Sequence, residues 1–227
     1  FYSGFKTYCS LSHGNLRHFL ELCHKSIYRA VTQTQEPHLP VDTFLQADAA
    51  RQASASFLGE IKSFGRYGNQ LHTFVMRLGS LFEIAHRRYT QSESEQSHFS
   101  IISEDEELRI EDIQFLREAT KWSVLFEQPD TKKKDEYQPA NIDFVLNPIY
   151  SPYFHISYRK KRKLELSTSE VRVLISGSLE QYQTLAKRFV KLFSVETKAV
   201  QPSLFSLLNT KKDEYVEDFD ENKNAGE

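Results

Sequence analysis

The chain reads as a mainly helical α+β protein, and three observations predict it. Leu71, Phe74, Val75, Leu78, Leu81, Phe82 and Ala85 recur in a 3, 4, 7 rhythm over four turns, which is the apolar stripe of a core-facing helix. Ile142, Phe144 and Leu146 alternate with Asp143 and Val145, and Phe154, Ile156 and Tyr158 alternate with His155 and Ser157, so two half-buried strands are expected there. Between such segments lie Pro, Gly and Ser-rich connectors that end one element and begin the next.

Taken in order, the chain opens with an aromatic stretch and a helix, with Ser12 as its expected N-cap and Leu16, Phe19, Leu20, Cys23 and Ile27 as one apolar face that needs a partner. Pro37 and Pro40 mark a connector. A second helical pattern runs over 41–64, with a possible split near Asp48, and Gly65-Arg66-Tyr67-Gly68 breaks it. The four-turn helix follows, with His72, Arg77, Arg87 and Arg88 on its opposite, wet side. Residues 90–109 are polar and predict a surface loop with one brief extended piece at Phe99, Ile101 and Ile102. Helical character resumes over 110–126, and a charged, mobile loop around Lys132-Lys133-Lys134-Asp135-Glu136 leads to the strands.

Between the two strands, NPIYSP is expected to turn or bulge, because its prolines fix φ and withhold backbone donors. Ser167 with Glu170, and then Ser178 with Gln181, are capping boxes for two further helices, the first closed by Gly177. A short apolar stretch at 204–208 can dock as a helical turn, and the acidic tail beyond it has almost nothing to bury and is expected to be disordered. The order helix, helix, helix, strand, strand predicts a winged helix.

Composition narrows the function. With 29 Lys plus Arg against 31 Asp plus Glu, nucleic-acid affinity cannot come from net charge and must come from local clustering. One such cluster exists: Arg159-Lys160-Lys161-Arg162-Lys163, directly after Tyr158. On a strand about half of these cations share a face. They fit a wing on DNA phosphates, a Lys-rich sheet edge that discourages strand addition, or a localisation or partner patch. Lys121, with Arg77, Arg87 and Arg88, can extend the patch, but reads first as the wet side of helices. Trp122, Phe74, Phe82, Phe115 and Phe126 follow the spacing of buried faces and are expected in the core.

Catalytic and metal chemistry find no support. The eight histidines include no H-E-x-x-H, the carboxylate run from Glu104 to Glu107 has no fixed geometry, and Ser10, Ser12 and His13 are too local for a nucleophile with its base. Cys9 and Cys23 have no metal-ligand spacing and read as reduced, buried thiols of a cytoplasmic protein. No apolar run reaches membrane-spanning length. Phe1 at the first position and Met76 as the only methionine are expected of a piece of a longer polypeptide.

Gly14-Asn15-Leu16-Arg17, within LSHGNLRHFLEL, resembles the sensor-2 segment of AAA+ ATPases, specifically the lid of origin-recognition-complex-like and STAND-type P-loop ATPases. The resemblance implies that Arg17, with Asn15 and Gly14 beside it, reports nucleotide state by pairing with phosphate oxygens. It implies a partial AAA+ lid at 1–48, a winged-helix domain at 50–166, packing helices at 167–208 and a tail at 209–227. It also implies ATP and Mg bound by an ATPase core outside these residues, DNA or a partner engaged by the wing, and relatives in prokaryotic antiviral defence or signalling. The chain has no G-x-x-x-x-G-K-[ST] phosphate cradle, so it cannot hydrolyse ATP unaided. The rival expectation is a winged-helix module for protein contacts only.

Overall fold

The computed structural model describes residues 2–33, 40–86, 96–102, 107–129, 142–159 and 162–195. The chain is mainly helical, with one small mixed sheet. The helices are α1 (Phe5–Ser12), α2 (Leu16–Gln33), α3 (Thr43–Glu60), α4 (Gly68–His86), α5 (Ile110–Lys121), the single turn α6 (Ser151–Phe154), α7 (Thr168–Ser176) and α8 (Leu179–Val195). The strands are β1 (Gln96–Ile102), β2 (Leu125–Pro129), β3 (Ile142–Leu146) and β4 (Arg162–Ser167), in spatial order β2-β3-β1-β4. β3 lies antiparallel between β2 and β1, while β4 runs parallel to β1.

α4 is the helix around which the rest packs. Its expected apolar stripe is fully buried, and Phe74 meets Phe99 of β1 and Phe115 of α5 edge to face. Gly79 has a packing reason: a Cβ there would come within 2.4 Å of the Phe154 ring, so only a bare backbone lets α6 approach. Arg77, expected on the wet side, is turned inward. Its guanidinium donates to the carbonyls of Val173 at 2.8 Å and Gly177 at 2.9 Å and lies over the Tyr182 ring, closing the C-terminus of α7. The negative end of the α7 dipole favours a cation there, and the Val173 carbonyl accepts from Arg77 as well as from the Gly177 N–H.

The capping boxes form as expected. Ser167 Oγ accepts from the Glu170 N–H, and Glu170 accepts from the Ser167 N–H at 2.8 Å. Ser178 and Gln181 repeat the arrangement at 3.2 and 2.8 Å. Ser12 does not cap α2: it is the last residue of α1, and Asn15 takes the capping role. α3 runs unbroken past Asp48 from an Asp42 cap whose carboxylate accepts from the Phe44 N–H at 2.8 Å.

The expected hairpin over residues 142–166 is the largest correction. Ile142–Leu146 is a strand, but 148–154 is helical: Asn147 accepts from the Ile149 N–H at 3.1 Å, and Pro148 stands where a helix needs no donor. His155, at φ 56°, ends that turn. Phe154 and Ile156 look like one face of a strand because both are buried in the core, Phe154 against Gly79 of α4, with exposed His155 between them, though Ser157 is buried as well. The next strand, β4, crosses to the far side of β1, and the antiparallel ribbon of the sheet is β2–β3.

Two further expectations change. The brief extended piece expected at Phe99, Ile101 and Ile102 forms as β1, but inside the sheet and not on a surface loop, since both of its edges are paired and Phe99 is fully buried. Its polar residues face other polar residues: His98 Nε2 lies 4.0 Å from Asp143, which Lys163 approaches at 3.8 Å from β4. The helix expected to reach Phe126 stops at Lys121, where Ser123 adopts φ 55° and the Val124 N–H returns to the Ala119 carbonyl at 2.8 Å. Phe126 then lies on β2. Trp122 is 38% exposed and stacks flat on Phe64, with ring centroids 5.0 Å apart, so it caps the core instead of filling it.

One continuous apolar cluster links Tyr2, Leu11 and Leu22 through Phe57, Phe74 and Phe99 to Leu185 and Phe189. Tyr2 locks the N-terminal helices onto the sheet side by donating to the Ile156 carbonyl at 2.7 Å. Both cysteines are free thiols; Cys9 is exposed, not buried, and Cys23 is half-buried. Arg87, Arg88, the loop around 132–136, the stretch 204–208 and the acidic tail lie outside the described residues.

Candidate functional site

The turn between α1 and α2 is built by two residues of left-handed conformation, His13 at φ 46° and Gly14 at φ 79°. A Cβ on Gly14 would meet nothing within 4 Å, so the glycine serves the turn geometry and leaves open space above it. Asn15 then caps α2, its side-chain oxygen accepting from the Arg17 N–H at 3.0 Å and the His18 N–H at 3.3 Å. The His13 ring packs on Phe126 of β2, centroids 4.3 Å apart, which ties this turn to the sheet edge.

Arg17 stands on the first turn of α2 with its side chain 68% exposed. Its Nη2 donates to both carboxylate oxygens of Glu60, at 2.6 and 2.8 Å, and its guanidinium carbon lies 5.4 Å from the centre of the Phe57 ring. Beside it, His18 packs on the same ring at 4.5 Å; burial, and secondarily the Arg17 charge, push the imidazole down to about 4, so it is neutral at pH 7. The three residues of the expected sensing segment are therefore together, at the surface, on a rigid helix start.

The face of α2 next to Arg17 is apolar and unburied. Leu16, Leu20, Ile27 and Val31 are each more than half exposed, while Leu22, Ser26 and Ala30 face inward toward the alanines of α3. The apolar face that needed a partner therefore remains available to one, apart from Phe19 and Cys23, which pack partly on the core.

The basic run is divided. Arg159 is exposed, with its guanidinium carbon 5.5 Å from the centre of the Tyr158 ring and its carbonyl accepting from Ser97 Oγ at 2.9 Å. Lys160 and Lys161 lie outside the described residues. Arg162 is exposed at the start of β4, and Lys163 leans toward buried Asp143 at 3.8 Å. Tyr158 packs against Tyr2, centroids 6.5 Å apart.

Sequence reasoning did not single out a cleft of about 450 Å³ between the 3-10 turn Gly65–Tyr67 and α5, lined by Arg66, Tyr67, Gln114, Arg117, Lys121 and Trp122. Its signal in the sequence is the polar face of α5 next to a Gly-bounded break. Among the described residues no group of His, Cys, Asp or Glu can hold a metal ion, and no helix is long and apolar enough to cross a membrane.

The candidate site is thus an exposed arginine at the start of a capped helix, in a mainly helical α+β chain. A family model described as ORC-CDC6-like matches residues 1–166, and the chain belongs to that ORC-CDC6-like family. No curated protein and no solved structure matches the chain.

Proposed function

We propose that this chain is the lid and DNA- or partner-engaging region of an ORC-CDC6-like ATPase, and that it couples nucleotide state to that engagement. Residues 1–48 serve as the lid and 50–166 as a winged-helix unit, with α7 and α8 packed on it. The observation that carries the reading is Arg17: an always-charged fork on the first turn of α2, two-thirds exposed, within the residues that the family model matches. Bound ATP supplies phosphate oxygens, and a guanidinium in this position pairs with two of them at once.

The apolar face of α2 supports the same reading, because Leu16 and Leu20 flank Arg17 and look toward whatever Arg17 meets. An ATPase core docked on that face would bring its nucleotide to the Arg17 end of the helix. In this scheme, Arg159 and Arg162 hold DNA phosphates next to the sheet. A second reading, protein contact without DNA, is favoured by Lys163, whose ammonium turns from the surface toward Asp143 and thins the patch.

The test is ATP affinity and turnover in the intact protein with Arg17→Ala. The expected result is weaker affinity or slower turnover by about tenfold or more, the scale of a charge-assisted bidentate contact. Wild-type values for both would sink the reading.

A further inference from the structure

We propose that Glu60 is a latch for Arg17: it holds the guanidinium in the absence of nucleotide and competes with the phosphate that Arg17 is read to bind. The inference rests on the reading of Arg17 given above and adds to it a residue that neither the sequence motif nor the family match points to.

The geometry is the first support. Glu60 presents both carboxylate oxygens to Nη2 of Arg17, at 2.6 and 2.8 Å, so one corner of the fork already holds an anion where a phosphate oxygen would compete for it. The Phe57 ring lies under the guanidinium, its centre 5.4 Å from the guanidinium carbon, and the side chain stays 68% exposed.

The second support is the position of Glu60. It is the last residue of α3, just before the 3-10 turn Ile61–Ser63 that finishes the helical path, so the negative end of that path gives its carboxylate no support. Nothing local to α3 recommends a glutamate there. It sits instead against the N-terminal turn of α2, where the opposite end of a helix dipole and Arg17 both favour an anion. The third support is its strength. Both partners are solvent-accessible, 68% and 36%, and such pairs are weak enough to be displaced. A phosphate group carries more charge than a carboxylate and outcompetes it once delivered. A buried pair would not let go.

Four forms of the intact protein test this by ATP titration: wild type, Glu60→Gln, Arg17→Ala and the double variant. Removing the competitor is expected to tighten ATP binding about two- to fivefold, the range an exposed ion pair spans. That gain should vanish in the Arg17→Ala background and shrink at 0.5 M salt, where exposed charges are screened within about 4 to 5 Å. A purely structural role for Glu60 would instead lower the melting temperature of Glu60→Gln and leave affinity alone. If Arg17→Ala weakens ATP binding while Glu60→Gln leaves it unchanged or weakens it, the latch is overturned and the nucleotide reading stands. If Arg17→Ala changes nothing, both fall.

Discussion

Two arginines of this chain start from the same side chain and end in opposite roles. Arg77 spends its fork on carbonyls at the C-terminal end of α7, Val173 and Gly177, and so serves packing. Arg17 pairs with a part-exposed carboxylate above the buried Phe57 ring and is itself 68% exposed, so its charge remains available to a ligand. His18 is the residue at which this corner responds to acid. Its folded-state value of about 4 lies below the ordinary 6.5, so the unfolded chain binds the extra proton first. Stability contributed by the neutral ring is complete above about pH 6.5 and is lost as pH falls toward 4. His72 and His86 are also pushed down by burial and act with the same sign. Melting temperatures between pH 7 and pH 4 should therefore fall less steeply in His18→Gln than in wild type; parallel curves would show that His18 carries none of the effect.

At the scale of elements, close approach decides more than propensity does. α6 touches α4 only because Gly79 lacks a side chain, and Phe154 is nearly sealed from solvent. Gly79→Ala should cost about 1–3 kcal/mol in denaturant unfolding, the usual range for overpacking, despite alanine being the better helix former. Phe154→Leu in that background should restore part of the stability, and a Gly79→Ala midpoint equal to wild type would contradict the packing argument. The same elements explain what could be read beforehand. α4 and the two capping boxes were legible because their signals are local: a 3.6-residue period, or a hydroxyl and a carboxylate or amide three residues apart. β1 was legible only as a brief extended piece; its place inside the sheet was not, because Gln96, Ser97, His98 and Ser100 look like a loop until β3 and β4 supply polar neighbours from far along the chain. The segment from 148 to 158 misled in the other sense, since apolar residues at every second position are buried equally well by a string of short turns, and Phe154 and Ile156 enter the core that way. Of the site, Arg17, Asn15 and Gly14 were legible as a motif, but Glu60 was not, being 43 positions away from Arg17.

For the whole molecule, a formal charge of −2 leaves no long-range pull toward DNA, so any affinity must come from a few exposed cations acting together. Every cation withdrawn from a DNA phosphate lowers the slope of log affinity against log salt by about 0.9. Replacing Arg159, Lys160 and Arg162 by Ala should accordingly flatten the slope for duplex DNA by up to about 2.7. An unchanged affinity and slope would favour the protein-contact reading and remove this patch from DNA binding. The uninterrupted core means that such variants report on surface charge only if the fold is intact, which a single cooperative unfolding transition checks.

The middle strand of the sheet has a consequence for how the molecule is made. β1 pairs only with β3 and β4, both of which come later in the chain, and its last register partner is Ser167. During synthesis the first four helices can associate as they leave the ribosome, but Phe99 emerges with neither edge of its strand satisfied. Until translation has carried Ser167 into the open, the nascent chain holds a bare ribbon edge next to a greasy ring, which is the interval in which a chaperone has something to hold.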